Sequence, residues 1–283
     1  MSNVDEVITA VLKDSKQDGA DFSGFDLQGV SLNGVSFVYA TFTGANLDGA
    51  ELMEINFSQA SMENTSLKKA KIKNVNFSGA NLKGVNFEDA TLVGCDFKNA
   101  ILENSEFTSA TLKNCNFKGS NMSYTNMYSA SLEKCDLAFT RLMYGYLKQI
   151  VIKESKMTGC NARGTDLSFS KLTNVDMTGS TLKYGDLNTC TFKDVNLCHS
   201  NLIGVEFKDA HCAGLQIEEA NLEGADMTYA NMEGSNLKNA FLLEANLHGT
   251  NFTNANLMDA YLVDANISKA ITKGANLENT ILR

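Results

Sequence analysis

The residues of this 283-residue chain able to do acid–base, nucleophilic or metal chemistry are three histidines, seven cysteines and 33 carboxylates. A catalytic dyad or a metal centre needs such groups brought to one point, so their spacing decides what they can do. His199, His211 and His248 occupy unrelated positions of the repeat described below and are expected on different faces. Asp48 with Glu51, and Glu218 with Glu219, read as solvated turn residues rather than acid–base dyads. No pair of cysteines has the close sequence spacing of zinc ligands. No phosphate-cradling glycine loop is present, because the glycines keep to one turn position instead of a strand-to-helix junction. Catalysis, a metal site and a cofactor are therefore not expected.

The elements that position these residues follow a period of five. From Phe22 to Leu282 every fifth residue falls on one slot without insertion or deletion, and 50 of these 53 residues are Leu, Ile, Met or Phe. Only Ala162, Cys212 and Thr272 depart. This period matches neither an α-helix nor a strand. Two residues before each large centre is a small one, as at Ala40, Ala45 and Ala50, with Phe25, Ile55, Ile150 and Leu215 as bulky exceptions. Just before the centre the chain favours Asn, Asp, Ser or Thr, types that bond their own backbone in turns. Two residues after it stand 18 of the 21 glycines and nine asparagines, which tolerate the positive φ of a type II turn. Each unit is thus a short extended piece plus a turn, burying one large and one small side chain. Such units are stable only when stacked into a solenoid.

Ala45-Asn46-Leu47-Asp48-Gly49, Ala80-Asn81-Leu82-Lys83-Gly84 and Ala220-Asn221-Leu222-Glu223-Gly224 carry the pattern in full. In this the chain resembles the pentapeptide-repeat family. The resemblance implies an all-β fold, a right-handed quadrilateral β-helix with four pentapeptides per coil, about 13 coils over residues 20–283. A twenty-residue coil has a check of its own, since unusual residues should recur at that interval. They do, at Cys95, Cys115 and Cys135, at Tyr124, Tyr144 and Tyr184, and at Phe241, Tyr261 and Ile281. The absence of proline agrees, because a proline would remove a donor from the inter-coil ladder.

Residues 1–19 differ. Val4, Val7, Ile8, Val11 and Leu12 follow the spacing of an amphipathic helix, with Ser2 as its N-cap, and the expected role is to cover the first coil. The acidic start and the lack of an apolar run argue against a signal peptide or a membrane span, so a cytoplasmic protein is expected, with non-classical secretion left open. Five cysteines in the small slot and Cys212 in a centre read as core filler in a reducing compartment; Cys198 alone points outward.

Two surface strips depart from the polar outer pattern. Phe241, Tyr261 and Ile281 occupy the slot before the centre in successive coils, with Leu243 and Val263 beside them. Contiguous exposed apolar residues mark interfaces, and family members dimerise through C-terminal coils, so this strip is expected to be a homodimer contact. The second strip, Tyr144, Tyr146 and Val151 with Tyr124 in the same column, is either a partner-binding patch or a locally less regular coil.

Charge narrows the function. The net charge is −9, and family members that mimic DNA bind gyrase and protect it from quinolones. A mimic should present acid continuously. Here residues 1–64 carry a net −8, residues 65–200 a net +5 and residues 201–283 a net −6. The basic middle is too weak, and its lysines too scattered over the faces, for direct nucleic acid binding. The reading is a non-enzymatic protein–protein interaction scaffold, dimeric through its C-terminal coils. A gyrase-directed DNA mimic and a secreted bacterial effector stand as alternatives.

Overall fold

The computed structural model describes residues 14–282. Of residues 1–19, expected to hold the capping helix and its lead-in, residues 1–13 lie outside the described residues, and Lys16 already bridges Ser36 one coil on. The described chain is an all-β parallel solenoid, and one pentapeptide shows how it is built. The Phe42 amide donates to the Ser61 carbonyl at 2.7 Å and the Gly44 amide to Glu63 at 2.8 Å, both on the following coil, while the Thr41 amide reaches back to Ala20 at 2.9 Å. The Ala45 amide closes the corner onto the Phe42 carbonyl at 2.9 Å, with Gly44 at a φ of 68°. The buried polar backbone is thereby paired between coils, as its desolvation demands.

The chain forms two compact units, Met1–Arg141 and Leu142–Arg283. In the first, β1 (Ser31–Asn33), β2 (Glu51–Met53), β3 (Lys71–Lys73), β4 (Thr91–Val93), β5 (Thr111–Lys113) and β6 (Ser131–Glu133) pair in parallel, each residue opposite the one twenty further on. Centres from neighbouring coils stack. The rings of Phe37, Phe57, Phe77, Phe97 and Phe117 form one column with centroid separations of 5.2, 5.4, 4.8 and 4.7 Å. Phe42 meets this column edge-on at 5.1 Å from Phe37, so rings pack both along and across the core. Cys95, Cys115 and Cys135 lie buried in one column, each thiol donating to a carbonyl 23 residues earlier, Ile72, Leu92 and Leu112, at 3.7, 3.6 and 3.6 Å. The twenty-residue coil expected from their spacing is the coil observed.

In the second unit β7 (Val151–Lys153), β8 (Lys171–Asp176) and β9 (Thr191–Asn196) continue the same parallel register. Beyond β9 the coils persist as single bridges, through Phe241↔Tyr261 and Tyr261↔Ile281. Among the described residues the extended strands therefore number nine, against the about 13 coils expected, because not every coil holds its side as a strand. At Val175 and Val195 the side stays extended. At Leu215 a tight turn closes instead, its amide donating to Cys212 at 3.0 Å, and only a bridge remains. Ala162 and Cys212 are buried centres like their neighbours, and Thr272 is exposed. Burial pushes the Cys160 and Cys190 thiols up to about 12, which keeps them protonated core residues.

Candidate interaction surfaces

The corners carry the most exposed large side chains. Among the described residues 34 non-glycine residues hold a positive φ at these corners, between 48° and 62°. That conformation costs an L-residue about 1 kcal/mol or more, so the inter-coil ladder, and not glycine alone, imposes it. Aromatic residues stand there too. In the first unit these are Tyr39, Tyr124 and Phe139, and in the second Tyr144, Phe169, Tyr184 and Tyr229, each roughly half exposed or more.

A basic side chain recurs 21 residues before such a ring, one coil back and on the adjoining position. Lys118 lies 5.8 Å from the Phe139 centroid in the first unit; Lys148 lies 5.0 Å from Phe169 and Arg163 5.6 Å from Tyr184 in the second. Lys183 adds a second cation to the Tyr184 ring at 4.8 Å. Charge and aromatic surface thus coincide at the corners.

Of the second strip foreseen from sequence, Tyr124 belongs to the first unit and the other three residues to the second. Tyr144 and Tyr146 are exposed on the two sides of one corner, and Val151 is half-buried in β7 opposite Lys171. Residues 142–163 keep the turn pattern of residues 122–143, so this strip is regular backbone carrying unusual side chains. The apolar strip is assembled as its spacing requires. Phe241 is bridged to Tyr261 and Tyr261 to Ile281, with Phe241 and Ile281 exposed and Tyr261, Leu243 and Val263 half-buried. Together with Glu219, Asn239 and Asp259, the three rungs line a shallow groove.

A carboxylate column fills another side of the second unit, where Asp166, Asp186, Glu206 and Asp226 are successive rungs. Burial holds the Asp186 carboxyl above its usual range, with the Asp166 and Glu206 charges adding to this and the Asn188 amide opposing it. Lys208 sits 3.5 Å from Glu206 and 3.4 Å from Asp226 and neutralises the far end of the column.

The histidines do make partners, though not with one another. His199 Nδ1 lies 3.1 Å from Glu219 on the next coil. His248 joins three coils: its Nε2 is 3.2 Å from the Tyr229 hydroxyl and its Nδ1 2.7 Å from Ser268 Oγ. A serine beside an imidazole is the start of a nucleophile and base, but this hydroxyl also donates to Asn266 Oδ1 at 2.6 Å, a turn contact that ties it to its own corner. The reading of isolated histidines missed these links; their signal was the partner one coil away. Among the described residues no group of three or more His, Cys, Asp or Glu is placed to hold a metal ion, and no helix is long and apolar enough to cross a membrane.

Solved structures similar to the chain include pentapeptide repeat proteins. HetL, a pentapeptide repeat protein involved in heterocyst differentiation regulation from the cyanobacterium Nostoc sp. strain PCC 7120, is 22% identical, with 100% of this chain and 97% of HetL covered and a TM-score of 0.38. QnrB1, a plasmid-mediated fluoroquinolone resistance protein, is 20% identical over 74% of this chain and 92% of its own, with a TM-score of 0.33. A pentapeptide repeat protein from the Arabidopsis thaliana thylakoid lumen is 28% identical over 37% of this chain and 70% of its own, with a TM-score of 0.23. No curated protein matches the chain. The family model for pentapeptide repeats (8 copies) matches residues 18–52, 147–183, 190–228, 206–242 and 225–262, and a related pentapeptide repeat region matches residues 50–127. The five-residue register, the stacked coils and these matches agree: the chain belongs to the pentapeptide-repeat family.

Proposed function

We propose that this protein is a non-enzymatic, cytoplasmic scaffold that binds protein partners through flat ladders of side chains and pairs with a second copy of itself. The observation that carries the reading is the apolar run Phe241–Tyr261–Ile281 in a slot where neighbouring columns hold Asn or Asp. Asn246, Asn266, Asn256 and Asn276 show what that slot ordinarily does: their side-chain amides bond rung to rung at 2.9 Å from Asn266 to Asn246 and 3.2 Å from Asn276 to Asn256. Replacing such a ladder with exposed rings gives up those bonds and leaves apolar area in water, a cost offset when the strip is covered. A twofold contact would set the strip of one copy against the same strip of the other, Phe241 against Tyr261.

Light scattering and analytical ultracentrifugation test this directly. The wild-type protein is expected as a dimer, and Phe241→Asn with Tyr261→Asn, which restores the slot's usual residue, as a folded monomer. A monomeric wild type, or a double variant that dimerises equally well, would remove the self-association. Binding of gyrase is the second reading, and its support is the acidic balance of the two ends of the sequence. Protection of gyrase from a quinolone in a supercoiling assay would put that reading first.

A further inference from the structure

Several basic residues of this fold pair with a carboxylate one coil away. In the first unit Lys71 lies 2.9 Å from Glu51, Lys68 2.8 Å from Glu88 and Lys113 3.0 Å from Glu133, and in the second Lys208 lies 3.4 Å from Asp226. Arg163 and Lys183 form no such pair. They are successive rungs of one column, between Met143 and Ile203, in a register held by the Asn161↔Thr181 bridge and by the Gly164 amide on the Lys183 carbonyl at 2.9 Å. Two like charges therefore stand on backbones about 4.8 Å apart, which is destabilising. Among the described residues neither forms an ion pair.

Both cations instead gather on one ring, Arg163 at 5.6 Å and Lys183 at 4.8 Å from the Tyr184 centroid. Tyr184 is 54% exposed and holds a φ of 60°, which a bulky residue adopts only at a cost. Its ring lies against Gly204 one coil on. Adjacent like charges without carboxylate partners and an exposed aromatic ring coincide at one corner. Local rules broken together in this way point to a site.

We propose that Arg163, Lys183 and Tyr184 form a docking point for an acidic segment of a partner protein. Its carboxylates would meet the two cations, the guanidinium accepting a bidentate pair, while an adjacent side chain lies on the ring. The proposal rests on the scaffold reading and supplies the chemistry of its partner. A nucleic acid fits less well: the adjoining side carries the Asp166–Asp186–Glu206–Asp226 column, which repels a long polyanion but leaves room for a segment short enough to touch only the two cations.

Fluorescence anisotropy of the full chain with fluorescein-labelled hexaglutamate, at low and at physiological salt, tests the site. Saturable, salt-sensitive binding is expected, weakened about tenfold in R163Q/K183Q and several-fold in Y184A, and unchanged in K193Q, a lysine on the exposed face of β9. Circular dichroism and light scattering of the same variants establish that fold and association state are retained, so a lost dimer is not mistaken for a lost site. No saturable binding, or equal binding by wild type and R163Q/K183Q, overturns the proposal while leaving self-association untouched. Tighter, R163Q/K183Q-sensitive binding of a short duplex DNA overturns it in favour of a nucleic acid.

Discussion

The ring of Tyr184 lies across Gly204, one coil further on, so closely that a methyl group at residue 204 would stand 2.7 Å from Tyr184 Cδ1. The same relationship joins Tyr144 to Gly164 and Tyr229 to Gly249, and in the first unit the Asn64 and Asn74 amides take the place of the ring over Gly84 and Gly94. Glycine at these corners does two things: it accepts the positive φ, and it makes room for the side chain of the preceding coil.

Gly204→Ala should therefore cost more than Gly224→Ala, although both sites have nearly the same φ, 60° and 62°, because a Cβ at 224 meets nothing within 4 Å. We expect about 1 kcal/mol at 224 from backbone strain alone and about 2 kcal/mol at 204. Urea midpoints read the difference. In a Tyr184→Ala background the two costs should become equal; if the gap survives, the ring is not its cause.

Asp186→Asn should stabilise the protein at neutral pH. The Asp186 carboxyl is held above its usual range by burial and by the flanking Asp166 and Glu206 charges, so its ionised form is worse off folded than unfolded. Such a group weakens the fold above its folded pKa, and the penalty vanishes below the unfolded value of about 3.9, where both states are neutral. The gain, about 0.5 kcal/mol for relieving like-charge neighbours, should appear in denaturant midpoints at pH 7 and fade as the pH falls towards 3.9. An equal gain at both ends would mean that charge is not responsible. Asparagine retains the Oδ1 that accepts the Asn188 amide at 2.9 Å.

Ala162→Leu should raise the denaturant midpoint. Ala162 is a fully buried centre in a column whose next members are Leu182, Leu202 and Leu222, all buried. Supplying the missing side chain is worth about 1 to 2 kcal/mol. An unchanged or lowered midpoint would show that the coil has already closed around alanine.

Much of this was legible because the repeat has no gaps. Once Phe22 and Leu282 share a slot, each residue between them has an assigned direction, and Cys95, Cys115 and Cys135 must stack if the coil is twenty residues long. The apolar rungs Phe241, Tyr261 and Ile281 follow from the same arithmetic. The cation–aromatic corners did not follow. Arg163 and Tyr184 are 21 residues apart, in different slots of successive coils, so a comparison of like slot with like slot passes over them. The partners of His248 are a tyrosine 19 residues earlier, outside its own slot in the same way, and a serine twenty later.

By itself, then, the order of residues determined the coil, its inward columns and the side on which each outward residue stands, because a five-residue period leaves each backbone position one environment. Where the extended strands stop, which corners hold rings over glycine, and which charges meet carboxylates and which meet an aromatic face were decided only by the tertiary structure. Those outcomes depend on side-chain rotamers and on the neighbour one coil away, and long outer side chains such as Arg163 and Lys183 reach across slots that the repeat keeps separate.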